Sequence, residues 1–202
     1  IDSDDFMPND AVENIIACWK KNGTNKYAGL VGLDITSDGK VIGSKFNTAD
    51  VNLTDYYDNG GKGDKKIVYR TDIIKQYPAY PVFKGEKYVS LGYKYELIDQ
   101  DYPLLTLNEV LVKVEYRPDG SSMNMFRQYI KNPQGFAFIR KSSMQLAPTA
   151  KRRFMEAIHY VSSSLILKNK RFLQESPKKF LTLCAIPFGI ALYLFIRFKT
   201  RN

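Results

Sequence analysis

The stretch Phe180-Leu-Thr-Leu-Cys-Ala-Ile-Pro-Phe-Gly-Ile-Ala-Leu-Tyr-Leu-Phe-Ile196 constrains this chain more than any other. It runs 17 residues without a charge, with Lys178 and Lys179 before it and Arg197, Lys199 and Arg201 after it. As a helix it reaches about 25 Å at roughly 1.5 Å per residue, slightly short of a hydrocarbon core of about 30 Å. Pro187 removes a hydrogen-bond donor near its middle and invites a kink. Cations on both flanks set no clear asymmetry between the two sides of a membrane. A bent, half-inserted anchor fits these features better than a clean crossing, and a buried helix of the globular part is the third arrangement.

The charge around that stretch is one-sided. The 202 residues carry 30 Lys and Arg against 21 Asp and Glu, a net of +9. From Arg140 to the end there are 13 basic and 2 acidic side chains, +11, which leaves the first 139 residues at −2. A basic tail of this kind suits an anionic surface. Residues 148–170 read as a helix opened by Pro148, with Phe154, Ile158, Val161 and Leu165 as one apolar stripe. Lys151, Arg152 and Arg153 crowd its first turn, where the helix dipole disfavours cations. Either an external anion such as a lipid phosphate or simple screening by water and salt relieves that conflict. No aromatic–basic motif of a nucleic-acid module is present, so no nucleic-acid partner is expected. The division expected is a catalytic-type α/β part over residues 1–145 and a basic, helical, membrane-associating tail over 146–202.

Hydrophobic residues at 44 % permit a packed core. A single histidine, His159, argues against a multi-His metal site or a Ser-His-Asp triad. Cys18 and Cys184 match neither a zinc ligand set nor a disulfide framework and read as packed, reduced thiols in a cytosolic setting. Along the front part, Pro8 precedes a helix carrying Val12, Ile15, Ile16 and Trp19 on one face and closed by Gly23. Residues 27–35 read as a buried strand, 44–65 as a polar loop with one helical turn near Leu53–Tyr57, and 66–70 as a short strand. Thr71 caps a short helix, a helix covers 88–97, and Val110, Val112 and Val114 alternate along a strand over 104–116. Helical patterns dominate from Ser122. The glycine-rich Asn59–Asp64 lacks the spacing and trailing Lys-Ser/Thr of a P-loop. The order describes an α/β domain with an incomplete sheet, followed by a helical tail.

The opening Ile1-Asp-Ser-Asp-Asp-Phe-Met-Pro8 places three carboxylates ahead of a helix, at the strand end where open α/β sheets bind ligands. Carboxylates this close repel one another unless a cation or hydrogen bonds offset their charge. Oxygen-only ligands suit Mg²⁺ or Mn²⁺. The alternative is that Asp2, Asp4 and Asp5 are solvated residues capping the helix.

Asp2-Ser-Asp-Asp, followed by Pro8 and Ala11-Val-Glu13, resembles the DxD segment of family-2, GT-A-fold glycosyltransferases. Pro81-Val-Phe-Lys-Gly-Glu-Lys87 resembles their acceptor-side motif, with Glu86 matching its Glu and Lys87 standing where Asp is usual. Asn108 to Ser122, with Tyr116-Arg-Pro-Asp-Gly, resembles the strand and turn that close the catalytic domain. The resemblance covers roughly residues 1–145. It implies the C-terminal part of an inverting, metal-dependent transferase. The sugar would pass from a nucleotide-diphosphate donor to a polysaccharide, wall-polymer or lipid-linked acceptor. Asp2 and Asp4 would bind the Mn²⁺ or Mg²⁺, Asp5 would support the donor site, and Glu86 would act as catalytic base. Further βα units would precede Ile1, in keeping with a chain that opens on Ile rather than Met. Asp119 stands near the turn where many relatives place a metal-binding His. The tail would hold the protein at the cytoplasmic face of the membrane. A non-catalytic, membrane-attached binding or scaffold protein that keeps the partial α/β domain is the alternative.

Overall fold

The computed structural model describes residues 1, 5–116 and 124–201. They divide into two units, one of Ile1–Pro78 with Leu97–Pro118 and the other of Ala79–Glu96 with Asp119–Asn202. In the first unit the apolar run near residue 30 becomes β1 (Gly29–Thr36), whose first six residues are buried. It has to lie inside a sheet, because no polar face is available to meet water. β1 pairs in parallel with β4 (Leu104–Val114) and antiparallel with β3 (Lys65–Tyr69). β2 (Asp50–Val51), which no pattern in the sequence announces, adds antiparallel to the start of β4. The mixed sheet has the order β2-β4-β1-β3, so the expected α/β class holds.

α1 (Ala11–Asn22) covers this sheet. Ala11 is buried with Leu30, Leu105 and Leu111, and Ile15, Cys18 and Trp19 pack against them. The buried face is therefore 11, 15, 18 and 19, whereas Val12 and Ile16 of the expected stripe are exposed. α2 (Leu53–Asp58) is the helical turn expected in the polar loop. Its free N–H groups are satisfied by a remote side chain: Asp99 accepts from Leu53 N at 2.6 Å and from Thr54 N at 2.8 Å. α3 (Thr71–Ile74) follows β3, with Arg70 rather than Thr71 at its N-cap and no side-chain cap. α4 (Gly92–Asp99) starts four residues later than the sequence suggests. The physical reason is competition for donors, since Asn132 takes the N–H of Lys87 and Tyr88 and the Ser90 hydroxyl accepts from Gly92 N.

The second unit is helical: α5 (Met125–Lys131), α6 (Pro133–Leu146), α7 (Ala150–Ile166), α8 (Phe172–Glu175) and α9 (Lys179–Lys199). Ala137, Met144, Ala157, Tyr160, Val161 and Ala185 form its core. Arg140 meets Glu156 at 2.9 Å between α6 and α7. α9 contains Pro187 within one continuous helix. Thr182, Ala185, Gly189 and Ile196 are its buried residues and Leu181 and Ile186 pack half-buried against the core, so the third arrangement holds for one side and not for the whole helix. Cys184, expected to be packed, is exposed on α9, whereas Cys18 is half-buried against the sheet core.

At Gly189 a Cβ would lie 2.5 Å from the Val161 side chain and 3.0 Å from Ile158 O. Small residues are what let α9 approach α7 this closely. Gly189→Val is expected to cost about 2 kcal/mol or more through overpacking, with no compensating helix propensity from a β-branched residue. Urea unfolding followed by circular dichroism measures it.

Candidate functional site

Of the acidic opening, Asp2 and Asp4 lie outside the described residues, as do Arg117 and Asp119. Asp5 is half-buried. Phe6 next to it exchanges two backbone hydrogen bonds with Lys113, at 3.0 and 2.7 Å, which fixes this segment beside the carboxyl end of β4. On the neighbouring parallel strand, Asp34 sits opposite Val112. Asp5 and Asp34 thus lie near the carboxyl ends of the parallel strands β4 and β1.

Asp34 is only 3 % exposed, and its Oδ1 has no hydrogen-bond partner. Burial pushes its carboxyl up to about 6, with the charges of Asp64 and Asp5 adding to the rise and those of Lys66 and Lys65 opposing it. Two loops wall this corner. Ile42 N donates to Asp34 O, and Ser44 N donates to Lys62 O. Gly43, at φ +74, lies so close to Lys62 that a Cβ has no room. Lys65 Nζ donates to Ile42 O at 2.9 Å and to Lys62 O at 2.8 Å, tying both loops to one ammonium. Tyr116 OH donates to Asp64 Oδ2 at 2.5 Å, and Tyr57 OH donates to Gly63 O. Burial and the nearby Asp64 push the Tyr57 phenol up to about 12 and raise that of Tyr116 as well. The result is a corner where the charges of Asp34, Asp64 and Asp5 are met by those of Lys65 and Lys66. Among the described residues, no three His, Cys, Asp or Glu side chains are placed to hold an ion by themselves.

Beside this corner, in the same unit, lies a polar cleft of about 510 Å³ lined in part by Asn47, Asp50, Asn52, Asp55 and Asn59. Planar amides and carboxylates of this kind match the paired donors and acceptors of a polyhydroxylated ligand.

Glu86 belongs to the second unit. Gly85, at φ +83, lets the chain turn so that Glu86 N donates to Phe83 O. The carboxylate then meets the start of α6, with Oε1 accepting from Gln134 N and Oε2 from Gly135 N, both at 2.8 Å. Asn132 returns the contact, its Oδ1 accepting from Lys87 N at 2.9 Å and Tyr88 N at 3.1 Å. Glycine is required at 135, where a Cβ would lie 2.5 Å from Tyr88 O. Glu86 is therefore a remote cap of α6. The sequence does not announce this role, because the capped helix lies 48 residues further on.

No motif or spacing in the sequence joins Asp34 to Asp64. A signal was present: Asp34 is the one carboxylate in the apolar run Gly29-Leu-Val-Gly-Leu-Asp-Ile35. No family model, no curated protein and no solved structure matches the chain.

A carboxyl whose folded pKa lies above its unfolded value weakens the fold where it is ionised. Asp34 therefore costs about 3 kcal/mol at pH 7, and the cost disappears as pH falls from about 6 to about 4. His159, lowered to about 4 by burial and then by Arg140, has the opposite sign in an overlapping window, since its stabilisation is lost as pH falls from about 6.5 to about 4. The Asp34→Asn variant is expected to exceed the parent in stability at pH 7 and to lose that advantage by about pH 4. Urea titrations across this range measure the difference.

Proposed function

We propose that this chain is the C-terminal part of a family-2, GT-A-fold glycosyltransferase acting at the cytoplasmic face of the cell membrane. It would move a sugar with inversion from a nucleotide-diphosphate donor to a polysaccharide, wall-polymer or lipid-linked acceptor. The observation that carries this reading is the acidic corner at the carboxyl ends of the parallel strands β1 and β4, where Asp5 is set by the Phe6–Lys113 pairing and Asp34 lies buried with a free oxygen. Open α/β sheets bind their ligands at such strand ends.

In this reading Asp2 and Asp4 hold Mn²⁺ or Mg²⁺, which suits their hard oxygen donors. The unpartnered Oδ1 of Asp34 supports a cation nearby. When bound, the ion stabilises charge on the departing diphosphate. Asp5 supports the ligands and orients the donor. The polar cleft beside β2 offers amides and carboxylates to sugar hydroxyls. Glu86 takes the proton of the acceptor hydroxyl as that oxygen attacks the anomeric carbon. Both its oxygens keep a free lone pair after capping α6. The basic tail keeps the protein where lipid-linked acceptors reside.

One observation favours a second reading, a non-catalytic membrane-attached binding protein: the Glu86 carboxylate already has a complete structural task. Release of sugar from nucleotide-diphosphate donors in the presence of Mn²⁺ separates the two. The transferase reading expects turnover by the full-length gene product and a loss of about 10²- to 10⁴-fold in its Glu86→Gln variant, which retains one acceptor oxygen for the α6 cap. Normal turnover in that variant places the base elsewhere, and no turnover by the full-length gene product with any donor favours the binding protein.

A further inference from the structure

The side of α9 turned away from α7 has no polar face. Phe180, Leu183, Leu194, Phe195 and Phe198 are all exposed, Phe180 at 80 % and Phe198 at 71 %. A helix lying on the surface of a water-soluble unit places charges there instead. Where this side begins, a cleft of about 380 Å³ is lined by Ala150, Arg153, Lys178, Lys179, Phe180 and Leu181. Its lining holds three cations and no acid. Arg153 is partly engaged, its Nε donating to Ala147 O at 2.7 Å, and Arg152 beside it points to Glu96 at 3.5 Å. The crowding of cations at the start of α7 is thus relieved in part from within, and Arg153, Lys178 and Lys179 remain grouped around the cleft.

We propose that this side of α9 lies in the lipid–water interface of an anionic bilayer, with a lipid phosphate seated in the cleft where α7 and α9 begin. Charge complementarity selects this occupant. A second copy would bring Lys178, Lys179, Arg197, Lys199 and Arg201 of one chain against the same cations of the other. An anionic leaflet neutralises them while its acyl region takes the phenylalanines. The helix lies in the interface and does not cross. Its inner stripe is locked to α7 at Gly189, so crossing would carry α7, with Glu156 and its partner Arg140, into hydrocarbon. The proposal deepens the membrane attachment in the reading above. Its test is read on lipid alone, so a failure of sugar transfer with lipid binding intact leaves it standing.

The experiment uses the whole chain carrying Cys18→Ser, so that an environment-sensitive fluorophore sits only on exposed Cys184. The expected result is co-sedimentation and a blue shift with phosphatidylcholine vesicles containing phosphatidylserine, and weak binding to pure phosphatidylcholine. Each lysine near an anionic surface contributes roughly fivefold, so Lys178→Ala with Lys179→Ala is expected to weaken binding about 25-fold, with the thermal transition unchanged. Leu194→Glu, outside the cleft, is expected to abolish the blue shift. Equal binding to pure phosphatidylcholine overturns the proposal, as does full binding by the double-lysine variant. A blue shift that grows with protein concentration without vesicles assigns the face to a second copy. Inorganic phosphate held by the parent and lost in the lysine variant, without vesicle binding, assigns the cleft to free phosphate.

Discussion

A carboxylate taken out of water must be given donors or it takes up a proton, and the molecule shows both outcomes. Asp99 receives the first N–H groups of α2, and Glu86 receives those of α6. These two remote caps do work that the local N-cap residues leave undone, since neither Asn52 nor Asn132 caps its own helix through its side chain. Such bonds contribute roughly 1.5–3 kcal/mol each when the acceptor is charged. Asp34 is the contrasting case. It is as deeply buried as Asp99, whose carboxyl burial also raises, yet one oxygen has no donor and the carboxyl is pushed up to about 6. Among the described residues, Asp34 is the buried carboxylate that keeps an oxygen without a donor, and it does so at the carboxyl end of parallel strands.

What was legible in the sequence follows from the range of each interaction. The buried strand near residue 30, the long strand from residue 104, the helix after Pro8 and the long tail helix all announce themselves by periodicity, a local property. The shifted start of α4 does not, because donors at residues 87–92 are claimed by Asn132, some 45 residues away, and by Ser90. β2 is two residues long and exists only because the start of β4 offers it an edge. The buried face of α1 turns from the expected Val12 and Ile16 toward Ala11 and Cys18, since the sheet beneath selects small side chains at the closest approach.

The site was legible to a different degree. Motif resemblance singles out Asp5 and Glu86 by their neighbours in sequence, and it is silent on what surrounds them in space. Asp64 and Tyr116 are 52 residues apart, and no spacing rule joins them. Asp34 could have been found, because a lone acid within a buried run is costly enough to need a reason. Glu86 caps α6, so a substitution there disturbs the fold, which is why stability has to be measured beside turnover at this residue.

The tail shows how packing decides between arrangements that composition leaves open. Seventeen uncharged residues are compatible with crossing a membrane, lying on it or filling a core. Gly189 and Ala185 bring α9 against α7 so closely that the two helices must move together, and α7 is tied to α6 by the Arg140–Glu156 pair. A helix held in this way has lost the freedom to cross alone, and four buried residues are too few to make it a core element. Only its outer surface is left to find a partner, and every charge that borders that surface is positive. A positively bordered apolar face, fixed to a folded unit, has an anionic interface as its natural complement.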